Sequence, residues 1–461
     1  MIEYIDPLKL IKCQRFDLVA KYIYAINYQK NSTNSGGWFL EIYMRHIEVF
    51  NGFVEADESN KYGADAFINS FNHLLNDIGK NGFNSEYSPV PINNGIIIDG
   101  AHRTTACLLH NKPIPTEKSA IESGTYDYSW FRKAGLDEWI MDAIAIEACK
   151  LRENTFVVVI YPSAEGMDDD LVELIKKKCE IWYRKDIAFM GNGPVNLIKA
   201  LYKTELWLGD DTDGYYGAHN KATWCFDGAG PLRSFLVEST LPEILKLKKE
   251  IRNIFSIDNH SVHITDYHDE AVDVSKLLFN ENSIDFINRS AIKESRWLET
   301  LMTDFKIWIK ENKLNSDNYC IDSSAVLCAY GLRECRDLDF LSIEGSPDTG
   351  IEEIGCHNSE IKYYKKNIAD IVNGPLNHFF YNGLKFCSIN TVKNMKKNRG
   401  ENKDLEDVDL ILSIGGVNLV KANKFKRWLK VRFLYQKLRF LAFRCRYYLK
   451  KFIKKLQRSK K

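Results

Sequence analysis

Ile96-Ile97-Ile98-Asp99-Gly100-Ala101-His102-Arg103-Thr104-Thr105-Ala106-Cys107-Leu108-Leu109 is the stretch from which the first part of the chain is read. Three β-branched apolar residues predict a short buried strand. Gly100 permits a tight turn, and from His102 onward Ala106 and Leu109 take up helical spacing toward a core. A carboxylate, an imidazole and a guanidinium therefore sit where a strand meets a helix N-terminus. Amides at such a terminus lack intrahelical partners, and the helix dipole there favours an anion. Arg103 supplies a planar donor fork suited to phosphate oxygens. Asp99 is placed to hold a metal or to take a proton from a hydroxyl. The same corner also has a purely structural reading, in which Asp99 caps the helix and Arg103 makes a surface ion pair.

Upstream, residues 63–79 predict an amphipathic helix with Phe67, Phe71, Leu74, Leu75 and Ile78 on one face. Asn81-Gly82-Phe83 ends it, and Pro89-Val90-Pro91-Ile92 leads into the strand. Over roughly residues 45–120 this arrangement resembles the ParB/sulfiredoxin superfamily. Asp99-Gly100-Ala101-His102-Arg103 is most similar to the branch that phosphorylates free serine with a nucleotide. The resemblance implies that Gly100, His102, Arg103 and Thr104 bind nucleotide phosphates. It gives Asp99 the metal or the acceptor hydroxyl, and makes Glu55 or Glu58 a candidate general base.

The chain has 461 residues, enough for two or three domains, and its 45% hydrophobic and 12% aromatic content excludes a disordered protein. Its 11 cysteines form no CxxC pair. The N-terminus lacks a basic n-region and an apolar h-region, which leads us to expect a cytoplasmic protein with reduced thiols. No uncharged stretch approaches about 20 residues, so no membrane span is expected. The net charge of +1 hides an asymmetry: residues 421–461 carry 17 Lys and Arg and no Asp or Glu, leaving 46 bases against 62 acids elsewhere. An acidic body argues against general nucleic-acid binding by that body.

We expect a multidomain α/β (α+β) protein. Residues 1–150 form the ParB/sulfiredoxin-like unit, with a mostly helical start. Residues 151–295 form a middle α/β region that opens with a strand at 155–161 and a helix at 168–181. Within it, 202–221 reads as loop and 245–255 as helix. His260, His263, Asp266, His268, Asp269 and Glu270 cluster there. They fit either a zinc or manganese site or a strand end followed by a capped helix.

Residues 296–418 form a third unit, entered from a helix at 294–312. Tyr319-Cys320-Ile321-Asp322-Ser323-Ser324-Ala325-Val326-Leu327 reads strand, small-residue turn, helix, and Asp337-Leu338-Asp339-Phe340-Leu341 reads as a second strand. Residues i and i+2 share a strand face, so Asp337 and Asp339 converge and call for a cation such as Mg²⁺ between them. This pattern resembles the nucleotidyltransferase superfamily, including its LicD/fukutin branch, which moves phosphorylated groups onto glycans. The resemblance implies that Asp337 and Asp339 bind Mg²⁺ and act in catalysis. Ser323 and Ser324 would approach the triphosphate, with Ser323 standing where the family has Gly. Lys396, Arg399 and Lys403 would contribute later in the unit, where Lys403-Asp404 and Asp407 resemble a Lys-Asp pair of that family. Either Glu352 or Glu353, or neither, supplies a third carboxylate.

In the tail, residues 419–461, Val431, Leu434, Leu438, Leu441, Cys445, Tyr448 and Phe452 recur at helical spacing among basic residues. Such a helix lies on an anionic bilayer; an RNA-binding arm and a helix docked on the acidic body are the alternatives. The sequence thus points to a transferase at the inner face of the cell membrane, acting in surface-polysaccharide biosynthesis. It would use a nucleoside triphosphate, ATP or CTP, on a small hydroxyl or phospho-glycan substrate. The rival is a ParB-type nucleotide-gated DNA-binding or regulatory protein without catalysis.

Overall fold

The computed structural model describes residues 2–30, 37–55, 61–84 and 87–414. The basic tail and Glu58 lie outside them. The described chain is mixed α/β, built around three small sheets. Among the described residues, no helix is long and apolar enough to cross a membrane.

The first region comprises β1 (Ile2–Ile5), α1 (Phe16–Lys30), α2 (Trp38–Asn51), α3 (Ala64–Asn81), β2 (Val90–Asn93), β3 (Ile96–Ile97), α4 (Ala101–Leu109), β4 (Ile114–Lys118), α5 (Tyr128–Ala134) and α6 (Glu138–Leu151). Its sheet order is β1-β4-β2-β3. β2 and β3 form a hairpin closed by Asn94 and Gly95, whose φ values of 50° and 76° suit the two left-handed positions of a tight hairpin turn. Phe67, Phe71, Leu75 and Ile78 of α3 are buried as the helical spacing predicts, while Leu74 is half-buried.

The middle region runs β5 (Thr155–Ile160), α7 (Asp168–Lys178), β6 (Glu180–Ile187), α8 (Gly193–Leu201), α9 (Tyr216–Cys225), β7 (Leu232–Glu238), α10 (Leu241–Phe255), β8 (Val262–Ile264), α11 (His268–Leu278) and α12 (Glu281–Arg289). Its sheet is antiparallel, in the order β6-β7-β5-β8. The apolar run of β5 is buried on both faces: Phe156, Val158 and Ile160 pack with α7 and α10, and Val157 and Val159 join the main core. Two expectations need correction. The helix at 168–181 stops at Lys178, because Ile181 belongs to β6. The stretch 202–221 is only partly loop, since α9 begins at Tyr216.

The third region holds α13 (Arg296–Glu311), β9 (Tyr319–Ile321), α14 (Ser323–Ala329), β10 (Leu338–Ser342), β11 (Ile354–Cys356), α15 (Ile368–Asn373), β12 (His378–Tyr381), β13 (Leu384–Cys387), α16 (Ile389–Arg399) and α17 (Asn402–Ile414). Its sheet order is β11-β10-β9-β13-β12, with β9 antiparallel to β10 and parallel to β13.

The three regions share one apolar core, which runs without a break from Leu10 to Ile411. They also share a charged joint. Asp317, just before β9, receives Lys150 of α6 at 3.0 Å and lies 3.6 Å from Lys276 of α11. Lys385 of β13 donates to the backbone carbonyl of Asp317 at 2.6 Å. Burial opposes the charge on Asp317, but Lys150, Lys385 and Lys276 outweigh it and hold the carboxyl well below the usual range.

Candidate functional sites

A cavity of about 610 Å³ opens at the N-terminus of α4. Gly100 precedes the helix at φ 85°, a left-handed conformation that a side chain would strain. A Cβ there would also meet Val90 at 2.8 Å. The cavity brings together Glu55, Asp99, Gly100, His102 and Arg103, all named from the sequence. Asp99 does not cap the helix. Its carboxylate is mostly exposed and lies 3.1 Å from Arg103, whose other nitrogen donates to the Ser88 hydroxyl at 2.9 Å. Glu55 pairs with Lys61 at 2.8 Å.

The floor of this cavity was not apparent from the motif. Arg15 donates to Asp17 at 2.9 Å and to the carbonyl of Ile97 at 2.7 Å, and Lys21 reaches Asp17 at 2.9 Å. All three side chains are buried. Although burial raises the cost of a charge on Asp17, Arg15 and Lys21 keep it ionised, its pKa far below the normal carboxylate range. The available signal was Asp17 and Lys21 at i,i+4 inside the apolar run of α1. Arg15, Lys21, Lys61 and Arg103 face Asp17, Glu55 and Asp99 in this cavity, leaving a small positive excess.

Two assignments from the sequence need correction. His102 is not a cationic phosphate clamp. Its Nε2 shares a hydrogen bond of 2.9 Å with the Tyr43 hydroxyl, and its ring stands edge-on to Phe71 at 4.7 Å. Burial, reinforced by Lys21 and Lys61, pushes its pKa well down, so the ring is neutral near pH 7. Thr104 is buried and bonds back to the carbonyl of Gly100 at 3.0 Å, so it faces no ligand.

In the third region, Ser323 adopts φ 57°, the left-handed conformation that suits a glycine at this point of the turn. Ser324 donates to Asp337 at 3.1 Å. Asp337 lies just before β10 and Asp339 within it. Burial, aided by Asp337 and Asp322, lifts the Asp339 carboxyl to about 6 against the pull of His357. Asp322 is fully buried; its Oδ2 meets His357 Nδ1 at 3.1 Å, and its Oδ1 has no hydrogen-bond partner. Despite desolvation, the bond to Asp322 and the nearby carboxylates raise the pKa of His357. Sequence reasoning missed Asp322 and His357. The Asp immediately before Ser323-Ser324 was the signal for the first, and only the sheet order reveals the second.

Asp337 and Asp322 both oppose the charge on Asp339, and one buried oxygen of Asp322 is unsatisfied, a setting that a divalent cation would relieve. Among the described residues, no three potential ligands are already arranged around a common point. A cation held by Asp337 and Asp339 would therefore draw its remaining oxygens from a bound triphosphate.

Lys396 does not reach this site. It is buried and pairs with Asp404 at 3.2 Å and Asp407 at 2.8 Å. Arg399 also binds Asp404, at 2.7 Å, and Arg333 holds Asp407 at 2.6 Å. These contacts make Lys396 a structural residue rather than a phosphate ligand. Lys403 is exposed and pairs with Glu401 at 3.1 Å. Arg399 borders the carboxylates through Glu360, at 3.4 Å. Glu353 accepts the amide of Leu338 through its backbone carbonyl.

In the middle region, His263 lies in β8, and Glu270 accepts the amide of Asp266 at 2.6 Å at the start of α11. The N-cap of α11, Tyr267, makes no side-chain cap bond, and among the described residues no three potential ligands are gathered around a common point here. No protein-family model, curated protein or solved structure matches the chain.

Proposed function

We propose that the chain is a phosphotransferase whose first region transfers a phosphoryl group from a nucleoside triphosphate to a small hydroxyl compound. The observation that carries this reading is the meeting of Glu55, Asp99 and Arg103 at one helix N-terminus, above the buried Arg15–Asp17–Lys21 floor. The first amides of α4 and Arg103 would bind the phosphates. Glu55 would accept the proton of the acceptor hydroxyl, and Asp99 would orient that hydroxyl. Mg²⁺ would supply charge neutralisation at the phosphates. His102 and Tyr43 would shape the cavity as a neutral pair. Arg103→Ala should weaken triphosphate binding by about 1.5–3 kcal/mol, measured by calorimetry. Glu55→Gln should retain that binding and lose phosphoryl transfer. Unchanged affinity for both ATP and CTP in Arg103→Ala removes the proposal. A gel shift with the chain ended at Asn418 tests the DNA-binding rival.

A second reading rests on its own observation. The left-handed Ser323 and the crowded carboxylates Asp322, Asp337 and Asp339 favour a nucleotidyltransferase centre in the third region. The two activities together, with residues 421–461 docking on an anionic membrane, suit the activation and transfer of phosphorylated groups in bacterial surface-polysaccharide biosynthesis.

A further inference from the structure

A separate cavity of about 750 Å³ lies in the middle region, between the start of α9, the end of α10, β8 and the start of α11. It shares no residue with either phosphate-handling centre. Its rim is aromatic: Trp207 is 43% exposed, Trp224 59%, Tyr267 63% and Tyr216 72%. Large aromatic side chains left this open are rare on a surface without a ligand or partner, and here they gather around one cavity.

The inner wall is polar and incompletely paired. His263 is only 6% exposed, yet its Nε2 has no hydrogen-bond partner; the nearest carboxylate oxygen, on Glu270, is 3.5 Å away. Its ring is fixed edge-on against Tyr202, at 5.1 Å. Arg252 Nε and His260 Nδ1 are also buried without hydrogen-bond partners. Buried polar atoms without partners are costly, and three around one cavity mark a place where a ligand's polar groups would complete them.

Charge decides the ligand class. Lys221, Lys248 and Arg252 are balanced by Glu205, Asp266 and Glu270. Lys221 already donates to the carbonyl of Asn259 at 2.6 Å, and Lys248 lies 3.5 Å from Asp266. A balanced wall offers no field for a polyanion such as a triphosphate. It offers donors and acceptors side by side, which suits hydroxyl groups, because each hydroxyl both donates and accepts. The aromatic faces suit a ring with an apolar C–H face. Both requirements are met by a sugar.

We propose that this cavity binds a neutral saccharide, with a ring face against Trp224 and hydroxyls paired to His263, Arg252 and Glu270. The proposal does not depend on phosphotransfer elsewhere in the chain. The test is saturation-transfer NMR and calorimetry on the full chain with maltose, lactose and N,N′-diacetylchitobiose, and with uridine monophosphate as the charged counter-probe. At least one disaccharide should bind saturably in the millimolar range or tighter. Trp224→Ala, at an exposed position that leaves the core intact, should weaken it by roughly tenfold. Arg252→Gln should also weaken it, and neither variant should change triphosphate binding at α4. Failure of all three disaccharides, binding of uridine monophosphate alone, or disaccharide binding that survives both substitutions overturns the proposal.

Discussion

Replacing Asp339 by asparagine should make the protein more stable at alkaline pH. Burial, with the charges of Asp337 and Asp322, lifts this carboxyl from an ordinary 3.8 to about 6. At about 1.36 kcal/mol per pH unit, the gap corresponds to about 3 kcal/mol, an upper figure that relaxation and partial exposure reduce to about 1–3 kcal/mol. Below the unfolded value both states hold the proton, and the group contributes nothing. As pH rises, the unfolded chain releases its proton first while the folded chain keeps it, so stability falls until the pH passes the folded value. Above that point the penalty is complete. Asparagine keeps the shape and removes the charge. Urea unfolding at about pH 4 and about pH 8 should therefore show the variant ahead only at the higher pH. Mg²⁺ at the higher pH should stabilise the parent more than the variant. A variant no more stable than the parent at the higher pH, or one equally improved at both, refutes the crowding of charge at this strand.

Other substitutions separate structure from binding. Lys396→Met should destabilise the fold by about 1–3 kcal/mol in chemical denaturation, because Asp404 and Asp407 each lose one charged partner and keep Arg399 and Arg333, and the folded fraction should bind triphosphate normally. Ser323→Gly should change stability by less than about 1 kcal/mol, toward greater stability, whereas Ser323→Val should cost about 1–3 kcal/mol, since a β-branched residue resists φ 57°. Ending the chain at Asn418 should abolish co-sedimentation with anionic liposomes and leave triphosphate binding intact; equal pelleting of both proteins would point to the helix-on-body alternative for the tail.

The parts of the fold legible in the sequence were those with strong local periodicity. The buried face of α3, the apolar run of β5 and the strand–turn–helix corner at Gly100 all follow from spacing. The candidate sites were legible only where one segment carries them. Arg15 reaches the carbonyl of Ile97 across 82 positions of sequence, and His102 is held neutral by burial, and by Lys21 and Lys61, in a pocket to which Tyr43 and Phe71 come from two other helices. Lys396 and Arg399 were misleading for a physical reason. The Lys, Arg and Asp spacing that suits a phosphate site equally suits a buried ion network, and only the packing of α16 on α17 decides between them.

The joint at Asp317 bears on how this chain can be divided. One carboxylate is charge-matched by lysines from α6 and α11 and is tied through its backbone to β13, so each region holds part of another's electrical balance. Cutting the chain near residue 150 or 295 would part this half-exposed acid from some of its bases, and would also cut through the common apolar core. The shared apolar core predicts that the regions melt together, as a single calorimetric transition, and that a cavity opened in one region lowers the melting temperature of all three.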